Sequence, residues 1–215
     1  MKAKKSGGAR INPEPGIHIA RLVQILDYGE QVDNYAPDGR AKVEFVWELL
    51  EEHDLHVFNE DKGEQPLLVD RKFGNTIGKG SAMLKCIEEM LGRKWGKDEE
   101  LDSLLGTMCQ MNIALIESGD YMNVEIKSLM PLGKDQAKKK YPSYTDQFVL
   151  DLDNFDVDNF DLLPQYKKDN IAKSPQGAAA IADGGVVTKP APVAVKAPVK
   201  APAKVSAFAG KGKKR

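Results

Sequence analysis

The stretch from Gly74 to Ser81, GNTIGKGS, carries the residue types of a phosphate cradle. A nucleotide-triphosphate loop needs four residues between its first glycine and its Gly-Lys-[Ser/Thr]. Successive backbone N–H groups then wrap the phosphates, and a hydroxyl reaches the magnesium ion. Here three residues separate Gly74 from Gly78, and Lys79 is followed by Gly80. The spacing argues against the cradle. Zinc-type ligands also occur: His53 and His56 in HDLH, with Cys86 and Cys109 further on. Their spacing is not that of a finger or a knuckle, so solvated histidines and buried thiols are expected. Spaced aspartates in DLDNFDVDNFD suggest a calcium loop, but no register supplies both the glycine at position six and the glutamate at twelve. No serine or cysteine sits in a nucleophile elbow. The expectation is therefore no catalytic residue, no metal and no cofactor.

Binding is better supported. Single nucleic-acid strands are held by cations that follow the backbone and by flat side chains on which bases stack, each stacked base contributing about 1–3 kcal/mol. Candidate cations are Arg21, Arg40, Lys42, Arg71, Lys72, Lys79 and Lys127. Candidate rings are Tyr28, Tyr35, Phe73 and Tyr121, with Trp95 behind them. Tyr28 and Tyr35 bracket a turn-rich loop, and Tyr121 falls on an outward strand position. Trp47 and Phe45 lie on an apolar strand face and are assigned to the core.

These residues need a scaffold, and hydrophobic periodicity supplies one. GIHIARLVQILDY (16–28) is rich in β-branched residues and reads as a strand. KVEFVWELL (42–50) alternates, with Val43, Phe45, Trp47 and Leu49 on one face and Lys42, Glu44 and Glu48 on a face expected to be solvated. PLLVDRKF (66–73) is a third strand. SAMLKCIEEML follows, with Leu84, Ile87 and Leu91 as a helical stripe, Ser81 as N-cap and Gly92 as stop. After a short helical turn, LDSLLG, come alternating strands at 108–117 and 121–130, joined by Ser118-Gly119-Asp120. The order β-β-β-α-β-β, mainly β with one inserted helix, is that of a five-stranded OB-fold barrel, although other small α+β domains share it.

Residues 1–15 form a basic arm expected to be flexible, 16–133 the nucleic-acid-binding barrel, and 134–173 a polar connector with an acidic amphipathic segment, whose Phe155, Phe160, Leu162 and Leu163 suit a short helix docked on the barrel. Residues 174–215, rich in Pro, Ala and Lys, read as a disordered tail. Charge divides along the same lines. Residues 1–133 carry 16 Lys/Arg and 23 Asp/Glu (−7), 134–163 carry 4 and 7 (−3), and 164–215 carry 11 and 2 (+9). An acidic body with a basic end marks an interaction tail. Its lysines release counterions from phosphates without sequence preference and raise the local concentration of nucleic acid. The acidic segment at 151–163 is placed to occupy the groove or to pair with the tail. No apolar run of membrane-spanning length and no apolar stretch after MKAKKSGGAR are present, so a cytoplasmic protein without membrane partners is expected.

Several blocks carry a resemblance in order: GIHIARLVQILDYGEQ, VWELL, RKFGNTIGKGSAMLKCIEEMLGRKW, LLGTMCQMNIA, YMNVEIKSLMP, and DNFDVDNFDLLPQYKKDNIAKSP. Together, over about residues 14–175, they resemble the OB-fold single-stranded-DNA-binding proteins of tailed bacteriophages. The resemblance implies a protein of the host cytoplasm that coats single strands in DNA replication, recombination or repair, without strong sequence preference. Replication or recombination proteins are its implied partners, and weak self-association stays open. It also implies that GNTIGKGS is the passage from the third strand into the helix that opens with Ser81 and Leu84, with Arg71, Lys72 and Lys79 beside the DNA backbone. One departure stands out: this chain ends GKGKKR, where many single-strand binders end in an acidic recruiting tail. An OB-fold protein-interaction adaptor and a single-stranded-RNA-binding barrel remain the alternatives.

Overall fold

The computed structural model describes residues 11–33, 36–60, 63–119 and 121–184. The long strand β1 (Gly16–Asp33) serves two neighbours, and this sets the architecture. Its first part, Gly16 to Arg21, pairs with β6 (Met108–Ser118), and its stretch from Ala20 onward pairs with β2 (Ala36–Leu49), both antiparallel. Register shifts after Leu22, Asp27 and Gln31 bend the strand, as bulges do. A small hairpin of β3 (Leu55–Asn59) and β4 (Gly63–Pro66) follows β2. Then β5 (Leu68–Gly74) returns antiparallel to β2. After α1 (Ala82–Leu91) the chain enters β6 and turns into β7 (Tyr121–Pro131), giving the order β5-β2-β1-β6-β7.

The expected β-β-β-α-β-β pattern is therefore present as an antiparallel sheet with a helix between its third and fourth members. The structure departs from the expected closed barrel. Among the described residues no pairing joins β5 to β7, so the sheet is open by hydrogen bonding. The β3–β4 hairpin is an element that the sequence pattern did not place.

Alternation explains the inner face. Val43, Phe45, Trp47 and Leu49 of β2, Phe73 of β5, and Cys109, Met111 and Ile113 of β6 all point into one core, where α1 caps them. The helix begins and ends as its sequence directs. Ser81 Oγ accepts from Leu84 N at 3.1 Å, and Gly92 takes the left-handed conformation (φ 65°) that stops it. The buried stripe is rotated from the expected one: Met83, Cys86, Ile87 and Met90 are buried, while Leu84 and Leu91 sit at its margins. Burial also pushes both thiols, Cys86 and Cys109, up to about 12.

The outer face of β1 and β2 is buried as well. Beyond Arg21, β6 no longer borders β1, and β8 (Phe148–Leu150) takes that edge in parallel, opposite Gln24 to Leu26. Three helices follow: α2 (Val157–Asp161), α3 (Gln165–Ile171) and α4 (Pro175–Ala182). Phe148, Leu150, Leu152, Phe155, Phe160, Leu163, Ile171 and Ala180 form a second core against Val23, Leu26, Tyr28 and Val46. Residues 148–173 thus form a packed layer whose acidic stretch lies on the sheet, while 134–147 stay exposed or half-buried as a connector. Its aspartates close turns and cap helices: Asp151 accepts from Asp153 N, and Asp156 accepts from Asp158 N and Asn159 N. The expected disordered tail starts too early. Residues 174–182 are a capped helix docked on β1, with Gly29 (φ 60°) lying where a Cβ would meet Ser174 Oγ at 2.6 Å. Residues 1–10 of the arm and 185–215 of the tail lie outside the described residues. No helix among the described residues is long and apolar enough to cross a membrane.

Candidate nucleic-acid interface

The β2–β5 pair gathers most of the candidate cations. Lys42 lies opposite Gly74, Glu44 opposite Lys72, and Phe45 opposite Arg71. Side chains alternate across a strand, so Lys42 and Lys72 stand on the outer face and Arg71 on the inner side. The Arg71 guanidinium is exposed and lies 5.3 Å from the Phe73 ring centroid. Arg40 is exposed, and its guanidinium lies beside the Gly74 backbone. Lys79 is exposed in the loop that leads to α1. Lys42 is ion-paired with Asp33.

Three candidates have other roles. Tyr28, expected to stack on a base, is 1% exposed. Its hydroxyl donates to Glu44 Oε2 at 3.0 Å, and Lys72 Nζ stands 4.0 Å from its ring centroid. Burial, reinforced by Glu44, raises the Tyr28 phenol far above its usual range. Glu44, expected on a solvated face, is buried too. It accepts from Lys167 Nζ at 2.5 Å, and Lys72 Nζ lies 3.8 Å away on its other oxygen. Burial pushes Glu44 up while Lys167 and Lys72 oppose it, and burial pulls Lys72 down. Phe73 is likewise unavailable for stacking, because it packs in the inner core at 5.2 Å from Phe45.

Arg21 is the third. It is a buried clamp rather than a DNA-backbone ligand. Its Nη1 donates to Glu48 Oε1 and to the Pro142 carbonyl, each at 2.9 Å, and Nη2 donates to the Tyr141 carbonyl at 2.9 Å. Glu48, also expected to be solvated, accepts the backbone N–H groups of Tyr144 and Thr145 on its other oxygen. This fully bonded pair fixes the approach of the C-terminal layer to the sheet.

The remaining candidates lie apart. Tyr121 is 78% exposed at the start of β7, beside the β6–β7 turn. Lys127, on the same strand, is exposed and paired with Glu125. Tyr35 lies outside the described residues. Sequence reasoning missed an open groove of about 500 Å³ lined by Phe58, Leu68, Tyr144, Phe148 and Leu162. Phe58 is 55% exposed on β3. Its signal was the apolar pair Val57-Phe58 standing outside any amphipathic pattern. Of the zinc-type residues weighed from sequence, only His53 joins a cluster, and its partners are His18, Glu51 and Asp54. Cys86 and Cys109 are free thiols of the inner core.

Protein-family models give no match to this chain, and neither do curated proteins.

Proposed function

We propose that this protein binds single-stranded DNA without strong sequence preference and without catalysis, as a phage-type OB-fold protein of replication, recombination or repair. One observation carries the reading. The five main strands and their inserted helix run in the order expected of an OB fold, and the exposed cations Arg40, Arg71 and Lys79 lie on the second and third of those strands and the loop that leaves them. That pair, with the loops after the first and fourth strands, is where OB barrels take oligonucleotides. Tyr121 borders the second of those loops. The basic residues beyond 184 supply long-range attraction that the acidic body lacks.

A second reading rests on the C-terminal layer. It covers the outer face of β1 and β2, which favours a protein-interaction adaptor built on the same strands. Binding of the full chain to fluorescent oligo-dT, in competition with duplex DNA and with matched RNA, decides among the readings. A clear preference for unpaired DNA supports the proposal. Equal preference for RNA shifts it to single strands in general, and no binding at low salt leaves the adaptor.

A further inference from the structure

His18, Glu51, His53 and Asp54 each bring one ligating atom to a point where all four lie within 4.8 Å of one another. The fold assembles them. His18 enters on β1, and the 3-10 turn Glu52–Asp54 after β2, with Glu51 at its N-cap, supplies the rest. Asp54 N donates to the Glu51 carbonyl at 2.9 Å, which places these two side chains one tight turn apart.

The His18 ring shows what the cluster is built for. Nε2 lies 2.8 Å from the Glu14 carbonyl oxygen, which only accepts, so Nε2 carries a hydrogen. Nδ1 then faces Asp54 Oδ2 at 2.9 Å. In a neutral ring this sets a lone pair against a carboxylate. A second ring proton or a bound cation relieves the conflict. The Asp54 carboxylate favours the proton, raising His18 above its usual value against the effect of burial. A proton on Nδ1, however, serves Oδ2 alone, whereas an ion held by the carboxylate can draw on either or both of its oxygens. Asp54 is fully buried, and its Oδ1 accepts no hydrogen bond from the described residues. The proton also gives no reason for His53 Nε2 to stand 3.8 Å from the same carboxylate, with Glu51 beside it.

We propose that His18, Glu51, His53 and Asp54 form a zinc(II) site. Two imidazole nitrogens and two carboxylates suit zinc, whereas calcium and magnesium favour all-oxygen shells. The Nε2–H to a backbone carbonyl is the outer-shell bond that orients a metal-binding histidine. Ligand atoms of a tetrahedral zinc lie about 3.3 Å apart at bond lengths of about 2.0–2.1 Å. The buried pair is near that spacing; the exposed His53 closes on it by rotation, and the half-buried Glu51, whose Oε2 accepts a long 3.4 Å bond from Ile19 N, brings its carboxylate to the same point. The ion ties the start of β1 to the turn after β2. This is the end of the β1–β2 pair opposite Arg40 and Lys42, so the proposal is independent of nucleic-acid binding.

The test uses the full chain, stripped with a chelator and titrated with zinc(II) by calorimetry and thermal unfolding. One ion per chain is expected, with Tm rising by about 5 °C or more at a zinc concentration about 100 times Kd. Cobalt(II) should give the visible bands of a tetrahedral complex. His53→Ala, at an exposed side chain, and Glu51→Gln, which keeps an acceptor for Ile19 N, should keep the fold and each weaken zinc by about tenfold or more. His56→Ala, outside the cluster, should leave zinc affinity unchanged. The proposal is overturned if the stripped chain takes up no zinc, if both His53→Ala and Glu51→Gln bind as the parent does, or if His56→Ala loses as much as they do.

Discussion

Lys167 Nζ lies 2.5 Å from Glu44 Oε2, although 123 residues separate them, and neither side chain is more than 5% exposed. The pair fastens α3 to the outer face of β2. Glu44 also accepts the Tyr28 hydroxyl, so one carboxylate joins β1, β2 and the C-terminal layer.

Lys167→Met removes the cation and leaves Glu44 buried, with the Tyr28 hydroxyl and Lys72 at 3.8 Å as its remaining partners. Breaking a buried pair from one side costs about 3–5 kcal/mol, or roughly 10 °C in Tm for a domain of this size. The double variant Lys167→Met/Glu44→Gln should recover most of the loss, because no charge then stays buried. Urea unfolding of the three proteins checks this. A single variant as stable as the parent would show that apolar packing alone holds α3.

The inner face of the sheet was legible in the sequence because alternation is local. Val43, Phe45, Trp47 and Leu49 announce their side of β2 whatever packs against it, and Ser81 and Gly92 announce the ends of α1. The outer face was not legible. Lys42, Glu44 and Glu48 alternate as a solvated face does, and the partners that bury Glu44 and Glu48, Lys167 and Tyr144, lie about a hundred residues away or more. Tyr28 was misplaced for the same reason. Helix α4 did carry a local signal, a Ser174 N-cap followed by Pro175 at the first helical position, but it was absorbed into the Pro/Ala composition of the tail. The candidate cations of β2 and β5 follow from strand order. The His18 cluster does not, because only the fold brings β1 to the turn after β2.

Gly177→Ala should destabilise a helix that alanine ordinarily favours by about 1 kcal/mol. A Cβ at this position would meet the Ile171 carbonyl oxygen at 2.1 Å and Ser174 Oγ at 2.8 Å. Backbone must move, so α4 is pushed off α3 at a cost of about 1–3 kcal/mol. Faster amide exchange confined to α4 and the end of α3, with a lower Tm, is the expected result. A gain in Tm would mean that α4 docks without close approach to Ile171.

Glu99 should titrate far below an ordinary glutamate. Arg93 donates to both its oxygens, at 2.5 and 2.9 Å, and Gly96 N donates at 2.6 Å, holding the carboxyl down at about 2 against an ordinary 4.5. The folded value is depressed, so the stabilisation this loop gains is present above 4.5 and is lost as pH falls through about 2. The side chains are exposed, and salt should weaken the shift. Carboxyl-carbon NMR follows the titration directly. Arg93→Gln should raise the midpoint towards 4.5, and an unchanged midpoint would assign the shift to the Gly96 N–H alone.

The salt dependence of oligo-dT binding should localise the interface. On a single strand, every phosphate the protein ceases to neutralise reduces the slope of log Kobs against log salt by about 0.7. Arg71→Gln and Lys79→Gln remove exposed charge in the middle of β5 and in the loop after it, without touching the Tyr28–Glu44–Lys167 network. Each should shallow the slope by the amount due to about one phosphate and weaken binding several-fold at low salt. Lys127→Gln, whose charge is already shared with Glu125 on β7, should change the slope less. Measuring all three in the full chain keeps the basic residues beyond 184 constant, so a difference reports on the sheet. If the Arg71 and Lys79 variants retain the parent slope while binding persists, the DNA is held elsewhere and β2–β5 is not its seat.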